Sequence, residues 1–182
     1  RHHPVAVCVP GQLSVLIERI RAAEAAKPFD TISLLRYITS CTWSTIRNLS
    51  GITLEGNGHV LTLNTQAFQS NGGNTFRNFT LDLTGSADGY GIGAASGDVF
   101  QNVSLLSGKD LSYGIFISVT DNDNETVTVD NCTFDGMSHA IYDDNEGKLA
   151  YLIVTNSTLE DGACLILFTP PGQFPGNTLA RS

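Results

Sequence analysis

Four short segments of this chain repeat one pattern: "TFRNFTLDL" (75–83), "VFQNVSLLS" (99–107), "TVDNCTFDG" (128–136) and "IVTNSTLED" (153–161). In each, an Asn stands two positions after an apolar residue (Phe76, Phe100, Val129, Val154) and three before another (Leu81, Leu105, Phe134, Leu159). Asn48, with Ile46 two positions before it, extends the series. The aligned residues Asn48, Asn78, Asn102, Asn131 and Asn156 then recur at intervals of 30, 24, 29 and 25 residues. Asn48 departs on its far side, where Gly51 takes the apolar place and Ile52 follows. Further strand-like runs, "GYGIGAA", "YGIFISV", "HAIYDD" and "ACLILF", come later in each repeat. A recurrence of this length marks a stacked solenoid, in which one coil cannot bury its apolar face alone. The expected coil is strand, Asn turn, strand, variable loop, strand, repeated about six times.

Asn suits a sharp bend because it tolerates the left-handed backbone region better than any residue except Gly. In a parallel stack, equivalent Asn side chains about 4.8 Å apart can also hydrogen-bond from coil to coil. The same residues, with Asn124, form six Asn-x-Ser/Thr sequons: Asn48, Asn78, Asn102, Asn124, Asn131 and Asn156. Composition alone predicts about two, so the excess needs a cause. The turn explains five of the six positions, and an Asn turned inward into a ladder would carry no sugar. Asn124, in the polar loop "TDNDNET", is off the repeat register and has no such structural reason.

The rest of the chain fits around this array. Residues 1–10 read as a short N-terminal strand or arm, "PVAVCVP", with Val5, Val7 and Val9 available to add a strand to a neighbouring subunit. Residues 11–28 change period: Leu13, Leu16, Ile17, Ile20, Ala23 and Ala26 predict an amphipathic helix of about four turns. Residues 29–169 form the β array, and no Pro occurs between Pro28 and Pro170, as paired strands require. Residues 170–182 hold three of the six prolines and read as a tail. The first residue is Arg1, not Met, which leads us to expect a processed product or an excised domain.

Composition narrows the partners. Charged residues make up 15% of the chain and the net charge is −8, so a nucleic-acid partner, which needs a basic stripe, is not expected. No apolar run approaches the roughly 18–20 residues of a membrane span. Cys8, Cys41, Cys132 and Cys164 lack zinc-ligand spacing. Secretion would favour two disulfides, Cys8–Cys41 with Cys132–Cys164 being the simplest of three pairings, whereas a cytosolic chain would keep four buried thiols.

The helix "LSVLIERIRAAEAAKPFDTISLL" leading into the first strand, the segment "GITLEGNGHVLTL" and the recurring V-x-N-x-T-F coils together resemble the right-handed parallel β-helix of the pectate-lyase-like superfamily, over roughly residues 11–168. The resemblance implies an all-β solenoid whose N-terminal helix, residues 12–27, covers the open end of the core. It also implies acidic residues able to hold calcium on one face. Asp121, Asp123 and Glu125, then Asp143, Asp144 and Glu146, fall after equivalent strands in consecutive coils. Asp121, Asp123, Asp143, Asp144 and Glu146 are the calcium candidates, and Asp143 and Asp144 the catalytic ones. The enzymatic pattern is incomplete: only Lys109 and Lys148 are near as bases, and no Gly-His-Gly or Arg-x-Lys follows the acidic pair. Two solvated acidic loops are the plainer reading, with no cofactor. Tyr90, Tyr113 and Tyr142 start strands of consecutive coils and suggest an aromatic ladder or a flat face for sugar rings.

The expected function is therefore a non-catalytic, extracellular, glycosylated structural protein, at a cell surface or in a fibre built by head-to-tail self-association. The alternatives are a lyase or hydrolase acting on an acidic polysaccharide, and a carbohydrate-binding adhesion module.

Overall fold

The structure is a computed structural model that describes residues 2–5, 31–34, 38–41, 46–63, 68–85, 90–108, 113–117, 126–143, 151–160 and 164–167. Strands come in chain order as β1 (His2–Val5), β2 (Thr31–Leu34), β3 (Ile38–Cys41), β4 (Ile46–Leu49), β5 (Thr53–Leu63), β6 (Phe68–Ser70), β7 (Thr75–Leu83) and β8 (Tyr90–Ala94). They continue as β9 (Val99–Ser107), β10 (Tyr113–Ile117), β11 (Thr126–Asp130), β12 (Thr133–Asp135), β13 (His139–Asp143), β14 (Tyr151–Thr155), β15 (Thr158–Leu159) and β16 (Cys164–Leu167). Every pairing among the described residues is parallel. Sheet A runs β1-β2-β5-β7-β9-β11-β14, with β3, β12 and β15 alongside, and sheet B runs β16-β13-β10-β8-β6-β4. From β4 onward the chain alternates between the sheets, so successive turns stack as a parallel β-solenoid. About three turns are described most completely. The six-coil count rests also on segments outside the described residues. No helix occurs among the described residues, and the expected cap helix at 11–28 and the tail at 170–182 lie outside them.

The repeated apolar positions are the core. Leu54, Phe76, Phe100, Val129 and Val154 are register partners in successive coils, and all are buried. Phe76 and Phe100 stack with centroids 5.1 Å apart and planes 11° apart. A second column runs Leu61, Leu81, Leu105, Phe134, Leu159. Its inner members are buried, whereas Leu159, at the end of the column, is exposed. Sheet B adds Ile92, Ile115 and Ile141 in register. Three apolar columns facing one another bury each coil against its neighbours, which is the main force holding the stack.

Two expectations change here. Asn48 lies in β4, within sheet B, and is not a turn residue of the repeat. Its place belongs to Asn57: β5 pairs with β7 as Glu55↔Arg77 and then His59↔Phe79, so Gly56, Asn57 and Gly58 stand opposite Asn78. Val5 pairs within its own chain, opposite Leu34, in the strand that ends sheet A, while Val7 and Val9 lie outside the described residues. Cys132 is a buried free thiol, not half of a disulfide. It follows Asn131 as Phe79 follows Asn78 and Val103 follows Asn102, and all three side chains are buried. The chain uses it as a small apolar core residue. Cys8 lies outside the described residues, and Cys41 and Cys164 are described by backbone alone.

Truncating the central column should therefore cost far more than truncating its exposed end. Phe100→Ala is expected to lose about 3–5 kcal/mol and Leu159→Ala under about 1 kcal/mol, measured by urea unfolding followed by circular dichroism. Equal losses would show that the stacked rings do not carry the core.

Candidate functional site

The Asn residues of the repeat form one edge of the solenoid. Asn57, Asn78, Asn102, Asn131 and Asn156 all have positive φ, between 52° and 59°. The left-handed residue folds sheet A so that the strand before it and the strand after it lie on two faces of one coil. The side chains form a ladder: Asn102 Nδ2 donates to Asn78 Oδ1 at 3.1 Å, and Asn131 Nδ2 donates to Asn102 Oδ1 at 3.4 Å. Asn156 leaves the ladder and donates to Asp130 Oδ1 at 2.9 Å. A hydrogen bond from the Thr155 hydroxyl, and then the one from Asn156, hold the Asp130 carboxyl below its ordinary pKa.

Glu55 closes the other end. Asn78 Nδ2 reaches both of its carboxylate oxygens at 3.0 Å, the Asn57 N–H donates at 2.9 Å, and Arg77 Nε donates at 2.7 Å. Burial works to raise the Glu55 pKa, but these donors and the Arg77 charge outweigh it and lower the pKa below the ordinary value. Asn78 is consequently half-buried and clamped, whereas Asn102, Asn131 and Asn156 are exposed. The ladder thus runs along the outside of the fold and does not turn inward. Each amide nitrogen carries two hydrogens, and the bonds described here for Asn102 and Asn131 engage one of them. The sequon hydroxyls Ser104, Thr133 and Thr158 sit beside them, half-buried.

The opposite corner holds a polar cluster that sequence reading missed. Gly51, Gly73 and Gly97, with φ of 66°, 72° and 81°, turn the chain from sheet B into sheet A. After each comes a buried residue: Ile52, Asn74, Asp98. Asn74 Oδ1 accepts from the Ile52 N–H at 3.1 Å, and its Nδ2 donates to the Leu49 carbonyl at 3.0 Å and to Ser70 Oγ at 2.6 Å. Asp98 Oδ1 accepts from the Asn74 N–H and Oδ2 from the Ala95 N–H, both at 2.9 Å. Burial raises the Asp98 pKa to about 6, and hydrogen bonds from Ser70, Ala95 and Asn74 limit the rise. The recurring "GITL", "GNTF" and "GDVF" were the available signal.

The acidic candidates do not gather at a surface site among the described residues. Asp143 is 4% exposed and is a register partner of Ile117, an inward-facing position, so it does not project from the face as expected. Asp121, Asp123, Asn124, Glu125, Asp144, Glu146, Lys109 and Lys148 lie outside the described residues. No group of three or more His, Cys, Asp or Glu that could hold a metal occurs among the described residues. Burial raises the Cys132 thiol to about 11, which leaves it an inert core group. The tyrosine series is reordered: Tyr113 partners Tyr90 and His139, while Tyr142 partners Phe116. No family model, no curated protein and no solved structure matches this chain.

Two outcomes follow from this geometry. Asn131→Gly keeps the turn and loses one ladder bond, at a cost under about 1 kcal/mol, whereas Asn131→Val adds the left-handed penalty of about 1–2 kcal/mol. Equal unfolding midpoints for the two variants would remove backbone conformation as the reason for Asn. Asp98 binds its proton more tightly folded than unfolded, because its folded pKa of about 6 exceeds the ordinary 3.8. The charged form therefore burdens the folded state by roughly 3 kcal/mol once pH exceeds about 6, and the burden fades as pH falls toward about 4. Urea midpoints should rise between about pH 7 and pH 5, and Asp98→Asn should flatten that rise.

Proposed function

We propose that this chain is a non-catalytic, extracellular, glycosylated structural protein, a right-handed parallel β-helix of the pectate-lyase-like type serving as a rod at a cell surface or in a fibre. The observation that carries the reading is the outward column of sequons. Asn102, Asn131 and Asn156 are exposed along one edge, each at a left-handed backbone bend and each with its sequon hydroxyl two residues on. A sugar on an amide nitrogen there projects into solvent without disturbing the apolar columns, and the amide keeps a hydrogen for the ladder. Coils lie about 4.8 Å apart, so branched glycans on neighbouring coils crowd one another and partial occupancy is expected.

Parallel pairing throughout both sheets supports the fibre version. The strand at one end of a sheet runs in the same direction as the strand at the other, so a second copy added end to end continues the ladder in register. The contact would run through terminal strands such as β14 and β16. At the other end of sheet A stands β1, which pairs with β2 on one side, so its outer edge would meet β14 of the next copy.

Peptide mapping of the protein from its native source, before and after enzymatic removal of N-glycans, tests the reading. Sugar is expected on at least one of Asn102, Asn131 and Asn156, and none on the clamped Asn78. Bare asparagine at all of the exposed sequons would overturn the glycosylated reading and leave the column as a turn device alone.

A further inference from the structure

The outward face of sheet B carries four rings in mutual contact: Tyr113 and Phe116 on β10, His139 and Tyr142 on β13. Tyr113 and Tyr142 have centroids 4.5 Å apart, and Phe116 and Tyr142 stack at 5.4 Å with planes 12° apart. Tyr113 lies 5.5 Å from Phe116 and 5.3 Å from His139, and His139 lies 6.4 Å from Tyr142.

The cluster depends on a break in strand alternation. Residues three apart on a regular strand point to opposite faces. In β10 the burial order instead makes Gly114 and Ile115 successive buried residues, with Tyr113 and Phe116 both partly exposed. A Cβ at Gly114 would come within 2.5 Å of Met137 Sδ, in the core, so only Gly fits there. Ala140 and Ile141 repeat the arrangement in β13, between His139 and Tyr142. Small residues at this inward step let both strands present two rings on the same side.

All four rings remain partly exposed, unlike the stacked Phe76 and Phe100 inside the solenoid. The face is also free of carboxylates among its described residues, since Asp143, next after Tyr142, is buried. A polyuronate would meet the field of a chain with net charge −8. Flat rings edged by the Tyr113 and Tyr142 hydroxyls and the His139 imidazole instead match a pyranose, which offers an apolar C–H face and a rim of hydroxyls.

We propose that Tyr113, Phe116, His139 and Tyr142 form a binding platform for a neutral polysaccharide, whose sugar rings stack on the outward face of sheet B. The site is independent of the glycosylated edge, so either proposal can fail alone.

Titration of the whole protein with cellohexaose, xylohexaose, laminarihexaose and chitohexaose, with polygalacturonate as the anionic comparison, tests this by calorimetry and by NMR of the aromatic side chains. Saturable binding of at least one neutral hexasaccharide is expected, with shifts concentrated on the Tyr113, Phe116, His139 and Tyr142 rings. Tyr142→Leu should weaken it by about tenfold, the size of one lost stacking contact. The ring shifts in the unsubstituted protein settle the location even if the variant fails to fold. Absence of binding by every neutral probe, binding of polygalacturonate alone, shifts confined to other residues, or a folded Tyr142→Leu variant with unchanged affinity would each overturn the proposal.

Discussion

A parallel solenoid keeps its register only if each coil bends at the same place, and here the repeated bend is one residue held at positive φ. Asn57, Asn78, Asn102, Asn131 and Asn156 occupy it in successive coils. For most side chains that conformation costs about 1–2 kcal/mol, repeated in every turn of the stack. Asn lowers the cost and adds a hydrogen bond to the coil beside it. Once the bend is placed, the apolar residues two before and three after it fall into columns, and the core follows.

The two described corners solve the same geometric problem differently. At the Asn edge Asn102, Asn131 and Asn156 stay at the surface, so each ladder bond between them is modest in value. At the Gly corner, Asn74 and Asp98 are fully buried, and an unmet donor or acceptor there would be expensive. That is why Asp98 accepts two backbone N–H groups and still retains a proton more readily than a surface carboxylate. Glycine supplies the turn, and the buried side chain supplies the missing hydrogen-bond partners.

Function, on this reading, occupies surfaces that the core does not need. The exposed amides of Asn102 and Asn131 and the rings of Phe116 and Tyr142 lie on different elements and use different chemistry. The apolar columns would be unchanged by a sugar attached to the first or stacked on the second. Such separation is natural for a solenoid, whose stability is roughly a sum of repeats and their interfaces.

Much of the coil was legible in the sequence because local periodicity reports it. The repeats around Asn78, Asn102, Asn131 and Asn156 identify the turn and the two columns beside it, since a left-handed residue and alternating apolar neighbours are local properties. Asn48 misled because the inserted Gly56–Gly58 segment disguises Asn57, and only strand pairing tells which residue stands opposite Asn78. Asp143 misled for a related reason: an acidic pair looks solvated until register puts one member among inward positions. The tyrosines showed the limit most clearly, because loops of unequal length separate the coils and their offset cannot be counted from spacing. The sequence by itself determined a parallel stack with Asn at its bends. The tertiary structure decided which face each residue shares, because register between distant strands is set by packing the whole coil on its neighbours.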